Sequence, residues 1–430
     1  MPKVSYKSAN VTSDEEDESD EEEDILDKDE DSGDEEAKDP PAVHLLLLPF
    51  MFMFQGYGAM VGVPQHALKH KLDLPEDQAG AFQDATASFQ LAKLLMRVLQ
   101  IAFLVFMQPN GIAYLSFLVM FCAVLVPVIF VWGMGVSDLW VVYLQYIMGG
   151  IAVGFFEGTF LSVISPLGKN TKTFAIMGAP LGFAVHNIVL GTFSQMGMPV
   201  LVYYLYTAFC LPFAAIIFHK YAPGPAPNSK GKGCKVFMNS LYKADQWMPK
   251  MIPWFIAKFI GNFVLEDGFP LLFNTFNTNM VPMFGGPAST EYLMPFAYYT
   301  AWLWFPMMAL GDTISRRVPA YIPLKSWKVI AVCLTGSIMM CFIGEALTFL
   351  LLPIVTALAA FISNFGNGFI YGLSAKYMDI YIPEQHRYTA YNLWCLCGDL
   401  GGYAGQSSMS VKIADAACAG KSYTYVCHHT

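Results

Sequence analysis

Ile112–Trp132 reads IAYLSFLVMFCAVLVPVIFVW, a run without a single charged residue. An α-helix needs about 20 residues to cross a bilayer. A helix packed in a soluble core alternates polar and apolar faces, whereas this one is apolar all round. Val200–Phe218 and Ala346–Ile362 read the same way. Working outward from these, eleven such stretches follow an acidic head: 42–63, 80–107, 111–133, 138–164, 174–193, 199–218, 251–273, 292–311, 326–344, 346–374 and 388–411. The chain is therefore expected to be an all-α, polytopic membrane protein. Its 430 residues, 55% hydrophobic and 14% charged, suit a carrier better than a soluble enzyme.

Charge is unevenly spread. Met1–Pro40 holds 18 acids and 4 lysines, and the remainder holds 16 acids and 21 basic residues, so the head is about -14 and the body about +5. A segment this charged, with almost no aromatics, cannot bury enough apolar area to fold. Residues 1–40 are expected to be a disordered acidic tail. No basic patch followed by an apolar run precedes it, so no cleavable signal peptide is expected.

With the head cytosolic, the loops on its side carry Lys169 and Lys172, then Lys220, Lys230, Lys232, Lys235, Lys243 and Lys250, then Arg316, Arg317 and Lys325, then Lys376 and Arg387. The opposite loops carry only Lys69 and Lys71 before the carboxyl tail. That asymmetry satisfies the positive-inside rule. An odd number of spans puts residues 412–430 on the lumenal or extracellular side. There Cys418 and Cys427 are candidates for a disulfide. The segment 219–250 contains APGPAPNSKGKG and reads as a basic cytosolic linker. It divides a six-span half (41–218) from a five-span half (251–411), the layout of major-facilitator-like carriers, whose site lies between two rocking halves.

Charges inside spans are costly and are functional candidates by default. Lys93 and Arg97 stand one helical turn apart on one face, either as an anion-attracting patch or snorkelling to the interface. Glu157 lies in GGIAVGFFEGTFLS, beside a stripe of Gly150, Gly154 and Gly158 that favours close helix packing. It can titrate or pair with a cation from another span. His186 follows Gly178 and Gly182, and reads as a helix contact or a proton relay. Glu266 and Asp267 precede Gly268 and Pro270, a pair that can break a membrane helix; Lys258 lies two turns earlier. Asp399 falls mid-span without an evident partner.

Several stretches resemble battenin, a family of lysosomal membrane proteins of major-facilitator type. Glu157-Gly-Thr-Phe-Leu-Ser162 is similar to that family's Glu-x-Thr-Phe-Leu-Ser. Gly268, Leu272 and Asn277-Thr278 resemble its span 7 pattern, and Gly311-x3-Ser315-Arg316 its Gly-x3-Ser-Arg. His386-Arg387-x2-Ala390-x4-Cys395 with Leu400-Gly401 resembles the segment entering its last span. The chain departs from the family in span 1, where FQGYGAMVGVP replaces an Asn-Asn pair, and at Asn262, where the family has a glutamate. Asp312-x3-Arg316 and Asn367-Gly368-Phe369 are instead similar to motifs of equilibrative nucleoside transporters, although the Pro-Trp-Asn of their first span is missing, Pro64-Gln65-His66 being nearest.

The first resemblance implies a carrier moving a small polar or anionic solute across an endolysosomal membrane by alternating access, with protons as a candidate coupled ion. Lys93, Arg97, Glu157, His186, Lys258, Glu266 and Asp267 would line its pathway. Asp312, Ser315, Arg316, His386 and Arg387 would form a cytosolic gate. The alternatives are a nucleoside transporter and a non-transporting trafficking protein. In the head, Glu21-x3-Ile25-Leu26 resembles an acidic dileucine signal for sorting adaptors. No metal-ligand cluster, nucleophile motif or nucleotide loop stands out, so neither an enzyme, a cofactor nor a nucleic-acid partner is expected.

Overall fold

A computed structural model of the protein describes residues 43–73, 79–164, 167, 169–223, 233–276, 280–324, 326–406, 416–421, 423 and 425–427. The acidic head and its candidate sorting signal lie outside the described residues. The helices are α1 (Leu47–Gly58), α2 (Val63–Leu72), α3 (Ala79–Phe106), α4 (Pro109–Pro127), α5 (Trp140–Ile164), α6 (Lys169–Ile176), α7 (Gly178–Val185), α8 (Gly191–Gln195) and α9 (Val200–Tyr221). There follow α10 (Gly233–Tyr242), α11 (Met248–Thr275), α12 (Phe296–Tyr299), α13 (Phe305–Arg317), α14 (Trp327–Thr348), α15 (Pro353–Tyr381) and α16 (Glu384–Ala404). A small antiparallel hairpin, β1 (Met280–Pro282) with β2 (Leu293–Pro295), pairs Val281 with Met294.

Long helices occupy all eleven stretches read as spans. Among the described residues, seven are long and apolar enough to cross a bilayer by length and composition. The other four, α3, α11, the α12–α13 rod and α16, carry Lys93 and Arg97, Lys258, Asp312 and Arg316, and Asp399.

Some boundaries differ from the hydropathy reading. The tenth helix runs from Pro353 to Tyr381, not 346–374. The apolar run hides a break, because hydropathy is blind to backbone direction. Leu351 adopts a left-handed φ of 58°, and Pro353 suits the first helical turn, where its missing N–H costs nothing. The eighth starts at Phe296, after β2, and the eleventh starts at Glu384 behind Pro383. The segment 219–250 is not linker throughout, since it contains α10. Phe237 and Leu241, one turn apart, pack with Leu104, Ile112 and Phe155. Pro, Gly and Ser crowd into one end of this segment and mask the amphipathic helix that follows.

Aromatic packing joins α1, α4, α5 and α9. The Phe50 ring lies 5.3 Å from Phe156 and 5.1 Å from Phe160, and Phe218 lies 5.5 Å from Phe160. By contrast α14 turns large apolar side chains outward, with Val332 72% and Met339 56% exposed. Water would penalise that surface by roughly 25 cal/mol per Å², whereas hydrocarbon would not.

The glycine stripe of α5 lets its backbone touch α3. A Cβ at Gly150 would sit 2.3 Å from the Phe89 carbonyl oxygen, and one at Gly154 would sit 2.7 Å from that of Lys93. This approach aligns the charged face of α3 with Glu157. Near the carboxyl end, Cys418 is disulfide-bonded to Cys427. The loop they close meets the end of α11 through a bridge between Val426 and Phe276.

Candidate functional site

Lys93 and Arg97 face one buried carboxylate from the far end of the chain. Lys93 Nζ lies 2.6 Å from Asp399 Oδ1, and Arg97 Nε donates to Asp399 Oδ2 at 2.9 Å. Arg97 Nη2 also donates to Glu157 Oε2 at 3.0 Å. The Arg97 side chain is fully buried and that of Asp399 is 2% exposed. Two cations and two carboxylates thus join α3 and α5 to α16. Neither cation snorkels, and Glu157 has the cross-helix cation that its buried position demands. Asp399, unpartnered in the sequence reading, is the hub.

A second cluster lies on α13. Arg316 clamps Asp312 through Nε at 2.7 Å and Nη2 at 2.9 Å, on the same helix. Its remaining arm, Nη1, donates at 3.0 Å to the Ile176 carbonyl on α6. The cause is local. Pro180 has no N–H to return to the carbonyl four residues earlier, so the helix breaks between α6 and α7 and the freed oxygen needs a donor. Arg316 supplies it from the other half of the chain. Ser315 Oγ donates to the Asp312 carbonyl at 2.9 Å. Gly368 of α15 admits this cluster, because a Cβ there would lie 2.3 Å from Asp312 Oδ1.

Lys258 on α11 behaves differently. It is 5% exposed. Its ammonium donates to Asn262 Oδ1 at 2.9 Å and sits over the rings of Tyr371 at 4.8 Å and Trp394 at 5.1 Å. None of the ion pairs formed by the described residues includes it.

These groups surround a central cavity of about 480 Å³. Both parts of the chain line it: Tyr57 from α1, Lys93 from α3 and Glu157 from α5 on one side, Lys258, Arg316 and Tyr371 on the other. The lining reaches Gly62, Gln65 and Lys69 at the turn from α1 into α2, and Thr356 near the start of α15. Towards the opposite end of α15, Lys172 Nζ lies 2.6 Å from Asp379 Oδ1 and 4.2 Å from the Tyr391 ring centroid. Tyr391 donates to the Ala375 carbonyl at 3.1 Å.

Not every candidate gathers here. His186 is fully buried beside Thr207, its Nδ1 3.4 Å from the hydroxyl, and its ring packs against Gly58 and Tyr203. It is absent from the cavity lining and serves as a contact between helices, because the small Gly58 admits the ring there. Glu266 and Asp267 fall in α11, but their side chains lie outside the described residues. The five gate candidates do not form one cluster. Asp312, Ser315 and Arg316 stand together, whereas His386 Nδ1 meets Ser240 Oγ of α10 at 2.8 Å. Arg387 donates to the carbonyls of Ile382 at 2.9 Å and Asp379 at 2.7 Å, capping the end of α15. Lys172, read from sequence as a loop cation, is 4% exposed and joins α6 to α15. Nothing local marks Lys172 or Asp379; each resembles an ordinary charge at a span end.

No protein-family model and no curated protein sequence matches the chain. The fold, however, is that of solved major-facilitator transporters. The human organic anion transporter MFSD10 (TETRAN) superposes with a TM-score of 0.55 at 11% identity, over 89% of this chain and 95% of that one. The proton:xylose symporter XylE gives 0.57 at 12% identity over 87% and 89%. A bacterial homologue of the human lysosomal transporter Spinster gives 0.52 at 15% identity over 85% and 80%. The chain is therefore an all-α, major-facilitator-like polytopic protein.

Proposed function

We propose that this protein is a battenin-like solute carrier that moves a small polar or anionic solute across an endolysosomal membrane by alternating access. Residues 41–218 and 251–411 are its two halves. The observation that carries the reading is the charged cavity lined from both halves. The links that cross between them include Lys93 and Arg97 to Asp399, Arg316 to the Ile176 carbonyl, and Lys172 to Asp379. With the amino terminus cytosolic, the cavity opens on the lumenal side and the last two links close it towards the cytosol. Exposing the solute to the cytosol requires them to part. Each is an ion pair or a single charge-assisted bond, strong when dry and exchangeable for water when the halves separate. Glu157, at the wall of the cavity and held by Arg97, is the group best placed to exchange a proton for that pairing.

A second reading is a nucleoside carrier. The two fragments similar to that family, Asp312-x3-Arg316 and Asn367-Gly368-Phe369, meet at the cavity through the contact of Gly368 with Asp312. Purified protein in proteoliposomes decides between these readings and the trafficking alternative. Saturable uptake of organic acids, responsive to an imposed pH gradient, is expected. Uptake confined to uridine and adenosine would favour the second reading, and uptake of nothing in a broad panel would end both.

A further inference from the structure

We infer that the central cavity holds a site for the one negative charge of a small organic acid, anchored on Lys258, with the flat apolar body of that acid against Tyr57, Phe89 and Phe183. This rests on the carrier reading and narrows its substrate to a class.

Charge is the first argument. The described cations of the cavity wall and of the ion pairs behind it are Lys93, Arg97, Lys258 and Arg316, and the described carboxylates are Glu157, Asp312 and Asp399. Four against three leaves one positive charge. Lys69 and Glu345, also in the lining, offset one another. Among the described residues the surplus falls on Lys258, since each of the other three cations forms an ion pair and Glu157, which acts on Lys258 through space, is bonded to Arg97. A buried, unpaired ammonium costs several kcal/mol unless an anion joins it. Its hydrogen-bond partner, Asn262, is a neutral amide.

A hydrogen-bond donor beside Lys258 is the second argument. The Tyr371 hydroxyl, on a residue only 1% exposed, belongs to the lining and lies close to the Glu157 carboxylate, with Lys258 over its ring. A phenol O–H beside an ammonium suits a carboxylate oxygen. The Arg316 guanidinium lies 4.1 Å from the centroid of the same Tyr371 ring, strengthening the positive field there.

Shape is the third. Tyr57 and Phe89 stack at 4.7 Å with 12° between their planes, and Phe183 lies 5.6 Å from Tyr57. All three line the cavity and offer a broad apolar wall. A dianion would overshoot the surplus charge, a cation would add to it, and a neutral isostere would leave it standing.

Benzoate, benzamide, benzylamine and phthalate probe the four cases. They are added to the purified full-length protein and read by calorimetry and by thermal unfolding. Benzoate is expected to bind and to raise the unfolding temperature, and the other three to bind at least about tenfold more weakly. Lys258→Arg should keep the benzoate preference. Lys258→Met removes the cation, and Asn262→Glu gives it a carboxylate one turn away. Both should lose about tenfold in benzoate affinity while unfolding, without ligand, no lower than the parent. Benzamide binding equal to benzoate, undiminished benzoate binding in Asn262→Glu, or no benzoate binding at all would overturn the inference. Lys258-dependent binding without any uptake in proteoliposomes would leave this site standing and overturn the carrier. Uptake of neutral solutes with no benzoate preference would do the reverse.

Discussion

Asp399→Asn is expected to cost about 3–5 kcal/mol of stability, the typical loss on removing one partner from a buried ion cluster. Asparagine keeps the shape and a carbonyl oxygen but not the charge. Lys93 and Arg97 would then face each other inside the protein with only Glu157 to offset them. Both of their links to Asp399 are 2.9 Å or shorter. Glu157→Gln should cost less. Its carboxylate is 12% exposed against 2% for Asp399, and Arg97 retains its bond to Asp399. Thermal unfolding of the two variants in one detergent tests the order. A Glu157→Gln protein less stable than Asp399→Asn would show that the hub is misassigned.

Gly150→Val should prevent the protein from reaching its folded yield. A Cβ at this position meets the Phe89 backbone oxygen at 2.3 Å, with Ala92 Cβ at 3.0 Å. Backbone cannot rotate away as a side chain can, so α3 and α5 must part. Overpacking of this kind costs about 3 kcal/mol or more, and it also pulls Arg97 away from Glu157. A substitution at Gly135, where no atom lies within 4 Å of the added Cβ, tests backbone conformation alone, because φ there is 69°. Size-exclusion profiles of Gly150→Val and Gly135→Ala should separate the two effects. A monodisperse Gly150→Val protein with parental stability would refute the close packing of α3 on α5.

What was legible in the sequence follows from what acts locally. Length and apolarity located the long helices, because a bilayer imposes them residue by residue. The Gly150, Gly154 and Gly158 stripe was readable because four-residue spacing stays on one helix face. So was the shared face of Lys93 and Arg97. Their partner was not: Asp399 lies 302 residues from Arg97, and no period connects them. The Arg316 bond to the Ile176 carbonyl was hidden for a related reason, since Pro180 announces a freed carbonyl but not who answers it. Lys172 looked like a loop lysine because a polar run surrounds it. Asp379 of α15 and Tyr391 of α16 take it out of water. His186 illustrates the converse. Intramembrane titratable groups draw attention, yet Thr207, Gly58 and Tyr203 give this one a packing role.

The central claim is that two halves close around one cavity and must part on the side of Lys172 and Asp379 to pass the solute. In a protein whose seven cysteines outside the Cys418–Cys427 pair are replaced, Lys172→Cys and Asp379→Cys together accept a short, reducible thiol cross-linker between α6 and α15. Uptake of labelled organic acid into proteoliposomes should stop when the link forms and return when it is reduced, while either single-cysteine variant stays active throughout. Uptake that continues at its full rate with the halves linked would contradict alternating access through this cavity.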